Sequence, residues 1–373
     1  MKVFRVKSKN EWKQFVLYPY SFYRDDPLWI PPLRMEQKKL FSADKNAMLG
    51  NCDYELFMAV ADGKPVGRAA AFVDHHYNQH WNEKTGFFGS FESVNDQKVA
   101  FALLRACERW LNDQNMDKMR GPISFESQNW GVNIDDFESP SRLMSPYNPP
   151  YYGTLLQSFG LQKSKDLDIF AASTQDYPLP ERFLRHKEWL LQKFNLSIRS
   201  IDMKNLTRDV GIIVDLSNRS LSNNWGYAPI SQMEAEGIAN DLKPIVWPEL
   251  VRIVEANHKP IAFCITLPDI LQLVKGCNGH LFPRAMFRLL FNLRSSRVFR
   301  IWALGIVPEF QRKGIDTLLY LSIWEALRDI DAYVEANYIL EDNYAMKDAV
   351  IKLGMEKVRT CRIYEKKVNN RAV

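Results

Sequence analysis

A chain of 373 residues, 46% hydrophobic and 13% aromatic with no low-complexity tract, can build two or three cored domains and excludes long disorder. Its formal net charge is only +5, and no finger, ribonucleoprotein motif or basic tail occurs, so nucleic acid is not an expected partner. Five cysteines, Cys52, Cys107, Cys264, Cys277 and Cys361, are odd in number and far apart, which argues for reduced thiols over a disulfide framework or a zinc site.

In chain order, "MKVFRVKSKNEWKQF" has no apolar signal core and no run of 18 apolar residues follows, so a cytoplasmic protein is expected. "YELFMAVADGKPVGRAAAFVD", from Tyr54, reads as a β-hairpin around a polar turn. In "DHHYNQH", His76 and His80 stand at i,i+4 beside His75, but no third ligand has a usual spacing, so no metal is expected. "GFFGSFESVNDQKVAFALLRACERWL" is an apolar strand that enters a helix through a loop without glycine, carrying Glu92 and Asp96. "LLQSFGLQKSKDLDIF" is a helix closed by Gly160 and followed by a strand. "YPLPERFLRHKEWLLQKF" is a proline-started helix inside a linker over 171–195. The expected organisation is an N-terminal lobe over 1–170 and a C-terminal lobe over 196–373.

The second lobe repeats the first. "PELVRIVEANHKPIAFCITLPD", from Pro248, matches the first hairpin, with Lys259-Pro260-Ile261 standing for Lys64-Pro65-Val66. "AVIKLGMEKVRTCRIY" around Gly354 matches the Gly160 segment, and both offsets are about 195 residues. Between them, "FPRAMFRLLFNLRSS" places Met286, Phe287, Leu289, Leu290, Phe291 and Leu293 on an apolar stripe. Five arginines and no acid fall between Arg284 and Arg300. Such a segment suits anionic lipid or the cover of a greasy tunnel, and equally a helix packed on its own core.

Then "RIWALGIVPEFQRKGIDTLLYLSIWEAL" runs from an apolar strand through Gln-Arg-Lys-Gly into a helix. A glycine with basic neighbours at that junction exposes unpaired N–H groups to phosphate; a solvated basic pair on a turn is the plainer alternative. "YVEANYILEDNY" reads as the next strand, with Tyr333, Glu335 and Asn337 on one face.

This order resembles the GNAT superfamily of acyl-CoA-dependent N-acyltransferases, whose loop reads Gln/Arg-x-x-Gly-x-Gly/Ala. Gln311 and Gly314 match, "LGIVPEF" precedes them, and Asp316 takes the last small position. The words "YRDDPLWIPPL", "GRAAAFVDHHYNQH", "TGFFGSFES", "MRGPISF", "SPYNPPYYGTLL", "LEDNYAMKDAV" and "RIYEKK" together resemble the bacterial ceramide synthase-like family. Its implied activity is transfer of a fatty acyl group from acyl-CoA to the amine of a sphingoid base. The expected fold is α/β, two tandem GNAT folds with mixed central sheets flanked by helices.

The resemblance also implies roles. Leu304, Gly305, Ile306 and Val307 would pair with the pantetheine arm of acyl-CoA or acetyl-CoA, the co-substrate. N–H groups of Arg312, Lys313, Gly314, Ile315, Asp316 and Thr317 would surround the pyrophosphate after Gln311, and Asn343 would contact the cofactor arm. The Asp316 carboxylate would repel phosphate unless it points outward or caps the helix. The tyrosine that many GNAT enzymes place four residues before the helix-ending glycine is Val350 here, and Leu156 in the first lobe. Glu335 is the first candidate base and Asp342 the second, with Tyr338 or Tyr364 as acid; a structural pairing of Glu335 with an arginine is the alternative. The C-terminal lobe is expected to bind acyl-CoA, with a lipid amine as acceptor and a peripheral inner-membrane contact through Arg284 to Arg300. Two alternatives stay open: an N-acetyltransferase for a small amine or aminoacyl acceptor, and an inactive GNAT scaffold or acyl-CoA-binding protein, which the missing tyrosine and Asp316 favour.

Overall fold

The computed structural model describes residues 1–125, 129–176 and 181–368; the expected proline start of the linker helix, at Pro178 and Pro180, lies outside the described residues. The chain packs into two compact units that interleave in sequence. Unit 1 holds Met1–Leu167, Val274–Arg288 and the stretch from Arg359 onward, and unit 2 holds Asp168–Leu273 and Leu289–Val358.

In unit 1, β1 (Lys2–Arg5) precedes α1 (Lys9–Phe22). That helix starts on a capping box, with Glu11 N–H donating to Ser8 Oγ at 3.2 Å and Ser8 N–H to Glu11 Oε2 at 2.8 Å. After α2 (Arg34–Leu40), β2 (Cys52–Ala61) and β3 (Lys64–Asp74) form the expected hairpin. Its two turn residues, Asp62 (φ 53°) and Gly63 (φ 75°), are both left-handed, the turn whose twist matches the strands it joins. Next come α3 (His75–Trp81) and β4 (Thr85–Ser93), which is antiparallel to β3 and parallel to β5 (Lys118–Gly121). Between β4 and β5, α4 (Gln97–Asp113) buries Val99, Ala100, Leu103, Leu104, Cys107, Trp110 and Leu111, a helical repeat on one face against the sheet. β6 (Val132–Asn133), α5 (Tyr152–Ser158) and β7 (Gln162–Ser173) follow. The left-handed Gly160 (φ 94°) after α5 lets Leu161 N–H reach Leu156 O at 3.2 Å, so the chain turns sharply into β7.

Unit 2 begins its second copy after α6 (Glu181–Lys193) with β8 (Leu196–Ser200), α7 (Leu206–Leu221) and α8 (Gln232–Leu242). β9 (Val251–Ala256) and β10 (Lys259–Pro268) repeat the hairpin, here with Asn257 (φ 48°) and His258 (φ 64°) in the left-handed turn. α9 (Leu271–Val274) and α10 (Met286–Asn292) lead to β11 (Val298–Ile306), α11 (Ile315–Leu327), β12 (Tyr333–Leu340) and α12 (Tyr344–Lys352). Gly354 (φ 84°) closes α12 as Gly160 closes α5, with Met355 N–H on Val350 O at 3.0 Å. The strand order in this unit is β8-β9-β10-β11-β12. The final strand, β13 (Glu356–Lys367), returns to unit 1, where Tyr364 faces Gly121 on β5.

In the basic amphipathic segment the apolar stripe is partly open: Phe287, Leu290 and Phe291 are 53%, 67% and 75% exposed, as is Phe282 before it at 69%, while Met286, Leu289 and Leu293 are half-buried. Arg300 does not flank it, because the strand alternation of β11 buries that residue to 3% exposure.

Candidate active site

The site is built from an opening in the unit 2 sheet. β11 is paired with β10 along one edge as far as Ile306, but with β12 only from Val298↔Tyr333 to Ile301↔Ala336. Where that pairing ends, the register with β10 slips: Thr266 faces Ile301 and Ile265 faces Ala303, which leaves Trp302 opposite no residue. Such a bulge bends and twists its strand. From Trp302 to Ile306 the edge of β11 toward β12 therefore has no strand partner among the described residues. Leu304, Gly305 and Ile306 lie on that free edge, and Val307 is anchored beyond it by its N–H on Ile261 O at 3.0 Å.

A loop follows that is tied back to the strand, with Gln311 Nε2 donating to Ile306 O at 3.0 Å. Arg312 (φ 59°) and Gly314 (φ 83°) are both left-handed. Alternation of this kind turns successive N–H groups into one concavity. Among the described residues no hydrogen bond engages the N–H groups from Arg312 to Thr317, and the first helical bond is Leu318 N–H to Gly314 O at 3.1 Å. Gln311, Arg312 and Lys313 are exposed, and Lys313 Nζ lies 4.7 Å from the Phe310 ring.

Glycine is required at 314 by its backbone angle. A Cβ there would stand 3.4 Å from Leu190 Cδ1 and 3.5 Å from His186 Nε2, ordinary contact with α6. That helix is held beside α11 by the Lys187–Glu325 ion pair. Asp316 does not cap α11, because the N-cap position is Gly314; its half-buried carboxylate sits in the first turn, at the positive end of the helix dipole.

Unit 1 treats the equivalent loop differently. Ser93 N–H donates to Tyr152 Oη at 3.0 Å, Val94 N–H to Val66 O at 3.1 Å, Asp96 N–H to Val94 O at 2.7 Å and Lys98 N–H to Asp96 Oδ1 at 2.7 Å. Beyond the paired part of β4, Ile123 N–H holds Phe88 O at 2.8 Å, and a Cβ on Gly89 would lie 1.7 Å from Ile123 O. No gap opens there. Glu92 is largely but not fully buried, accepting from Tyr23 Oη at 2.7 Å and Tyr152 Oη at 2.9 Å with Arg68 Nη2 at 3.7 Å. Burial pushes its carboxyl up, against the pull of Arg68 and the two phenols.

The candidate acid–base residues separate by location. Glu335, 2% exposed, stands directly across from Arg300 on adjacent parallel strands. Asn337, with its amide oriented so that both ends are satisfied, accepts from Arg300 Nη2 at 2.6 Å and Nε at 3.2 Å. The Arg300 guanidinium also lies 5.3 Å from the Tyr338 ring. Arg300 thus gathers Glu335, Asn337 and Tyr338, a role missed while it was counted as surface charge. A lone arginine inside the apolar run "VFRIWALGIV" was the available signal. Asp342 is exposed in the turn after β12, and Asn343 caps α12 through its Oδ1 and Met346 N–H at 3.2 Å. Tyr364 does not fit the role of acid. It lies on the unit 1 part of β13, 1% exposed in the same apolar cluster as Phe88 and Met119, and burial raises its phenol further. Among the described residues no cluster could hold a metal ion, and no helix is long and apolar enough to cross a membrane. His75 faces Asp53 at 2.9 Å instead.

No family model matches the chain. Among solved structures, a tandem GNAT protein of the clavulanic acid pathway superposes with a TM-score of 0.58 at 9% identity, covering 99% of this chain and 98% of that one. A glucosamine N-acetyltransferase region of a fungal multi-domain protein gives a TM-score of 0.61 at 14% identity, covering 98% of this chain and 38% of that one. Protein YghO of Escherichia coli is 31% identical over 370 residues, 97% of this chain and 94% of that protein. The chain belongs to the family of this protein, and its fold is the tandem GNAT fold. A relative from Caulobacter vibrioides named bacterial ceramide synthase is 27% identical over 375 residues, covering 98% of this chain and 97% of that protein. The tandem GNAT fold accounts for the doubled hairpins, the paired helix-ending glycines and the mixed sheets.

Proposed function

We propose that the chain transfers a fatty acyl group from acyl-CoA to the amine of a long-chain base, with the co-substrate held by unit 2. The observation that carries this is the free edge of β11 running into six consecutive unengaged N–H groups, Arg312 to Thr317. A pantetheine arm offers amide groups to such an edge as a further strand would, and a pyrophosphate suits the concavity at the N-terminus of α11. The Caulobacter relative's name supports a sphingoid acceptor. Glu335 takes the proton of the incoming amine, through water where the two do not touch. The amine nitrogen then attacks the thioester carbon, the C–N bond forms, the C–S bond breaks, and the thiolate is protonated. Tyr338 is the proton donor, and Asn343 reaches the arm with the amide nitrogen its capping role leaves over.

A thiol-release assay tests the proposal, with CoA thioesters of several chain lengths against sphinganine-type and small amines. Preference for long acyl chains and long-chain bases supports it. Preference for acetyl-CoA and a small or aminoacyl amine would make the chain an N-acetyltransferase. Tight acyl-CoA binding without thiol release would make it a binding protein.

The loop is separable from the chemistry. Gly314→Asp adds negative charge to the concavity and forbids the left-handed backbone, so calorimetric binding of acyl-CoA should vanish. Changing Arg312 and Lys313 together to Gln should weaken binding by roughly 1–3 kcal/mol, whereas changing Asp96 or Gln97 should leave it intact. Equal losses at the two loops would mean two cofactor sites.

We also propose that α10 and its flanks rest on anionic lipid. Four large apolar side chains stand exposed there with Arg284, Arg288, Arg294 and Arg297, although Arg294 is partly engaged by Glu249 and by the Trp247 ring at 4.5 Å. The wild type should float with anionic vesicles at low salt and less so as salt rises. Arg284→Gln, Arg288→Gln and Arg297→Gln together should weaken that attraction by about 1 kcal/mol per arginine. Absence of wild-type flotation would leave the segment without a membrane role.

A further inference from the structure

Four buried hydrogen-bond donors in unit 2, Ser220 Oγ, Trp247 Nε1, Arg252 Nε and Trp302 Nε1, have no partner among the described residues, and two of them lie at the opening of β11. Ser220 Oγ, near the end of α7, is buried and forms no hydrogen bond among the described residues; the same holds for Trp302 Nε1, on the bulge. A helical serine ordinarily bonds back to the preceding turn, as Ser322 does to Leu319 O at 2.7 Å. Ser220 forgoes that bond and instead presses on the opened strand. A Cβ on Gly305 would lie 2.3 Å from Ser220 Oγ and 2.4 Å from Phe263 Cε1, so only glycine at 305 lets the hydroxyl come this close. Buried hydroxyls and indoles are nearly always paired with protein, water or ligand, and a ligand lying along the opening of β11 is a partner available to both. An indole N–H can only donate, while a hydroxyl can also accept. A single ligand atom serving both must be an acceptor, and a carbonyl oxygen fits.

We infer that Ser220 and Trp302 bind the carbonyl oxygen of the acyl thioester and hold the negative charge it acquires. This rests on the proposal that acyl-CoA lies along β11. As the amine nitrogen bonds to the carbonyl carbon, the electron pair of the C=O bond moves onto that oxygen and both donors shorten toward it. When the tetrahedral species collapses, the pair returns, the C–S bond breaks and the sulfur leaves with its electrons to take a proton. Preorganised donors of this kind favour the charged intermediate over the ground state.

The full chain and its Ser220→Ala and Trp302→Phe variants should be compared in thiol release and in calorimetry with CoA and with acyl-CoA. The expected result for Ser220→Ala is a fall in kcat of about 10²-fold, with free CoA bound as tightly as by the wild type. Because no bond is lost in the free protein, its thermal midpoint should not drop. Trp302→Phe should lower kcat in the same direction. An active wild type beside a Ser220→Ala variant of undiminished kcat would overturn the inference alone. So would equal losses of CoA affinity and thermal midpoint, which indicate packing. A wild type that neither binds acyl-CoA nor releases thiol would overturn the inference together with the acyl-transfer proposal.

Discussion

Glu335→Gln is expected to lower turnover by about 10²- to 10⁴-fold, the range of a positioned general base, while acyl-CoA still binds. The substitution keeps the shape of the side chain across from Arg300 and removes only its charge and proton affinity. An amine nucleophile is mostly protonated near neutral pH, so the variant depends on the small neutral fraction. Its residual rate should climb as pH rises toward the amine's own pKa, more steeply than that of the wild type. Acyl-CoA calorimetry separates this from misfolding. Unchanged turnover would make Glu335 a structural partner on the Arg300 strand pair and move the test to Asp342→Asn.

Glu92→Ala is expected to destabilise unit 1 by roughly 3–5 kcal/mol, the scale for removing one member of a buried ion pair. Arg68, 5% exposed, would keep its charge without the carboxylate 3.7 Å away, and the Tyr23 and Tyr152 hydroxyls would lose their acceptor. The measurement is a urea midpoint read from a signal of unit 1. Replacing both partners, Arg68→Met with Glu92→Leu, should cost far less, because neither charge is left behind. A double variant as unstable as Glu92→Ala would mean that the tyrosine network, and not the charge pair, holds this part of the fold.

Much of the fold was legible because backbone geometry leaves marks in residue type. Lys64-Pro65 and Lys259-Pro260 follow turns whose residues are all left-handed, and Gly160 and Gly354 end helices by the same pattern of bonds. Gln311 to Gly314 announced the loop for a similar reason: few residues tolerate the angles that turn N–H groups together. The site was less legible, since it depends on long-range register. Arg300 reads as surface charge until β11 and β12 are aligned, and the pairing of β13 with β5 is what buries Tyr364 in an apolar cluster. Ser220 gave no signal of its own. Its position follows from a helix packed against a glycine 85 positions later, and no periodicity within α7 points to it.

The return of β13 to unit 1 bears on how the protein is made. A nascent chain emerges N-terminus first, and a domain that is contiguous in sequence can fold before the next is synthesised. Here β5 receives its antiparallel neighbour from residues 364–367, so the half translated first stays incomplete until a strand far downstream of it, beyond all of unit 2, has been made. Severing the polypeptide within 171–195 would not yield two self-sufficient acyltransferase-like proteins.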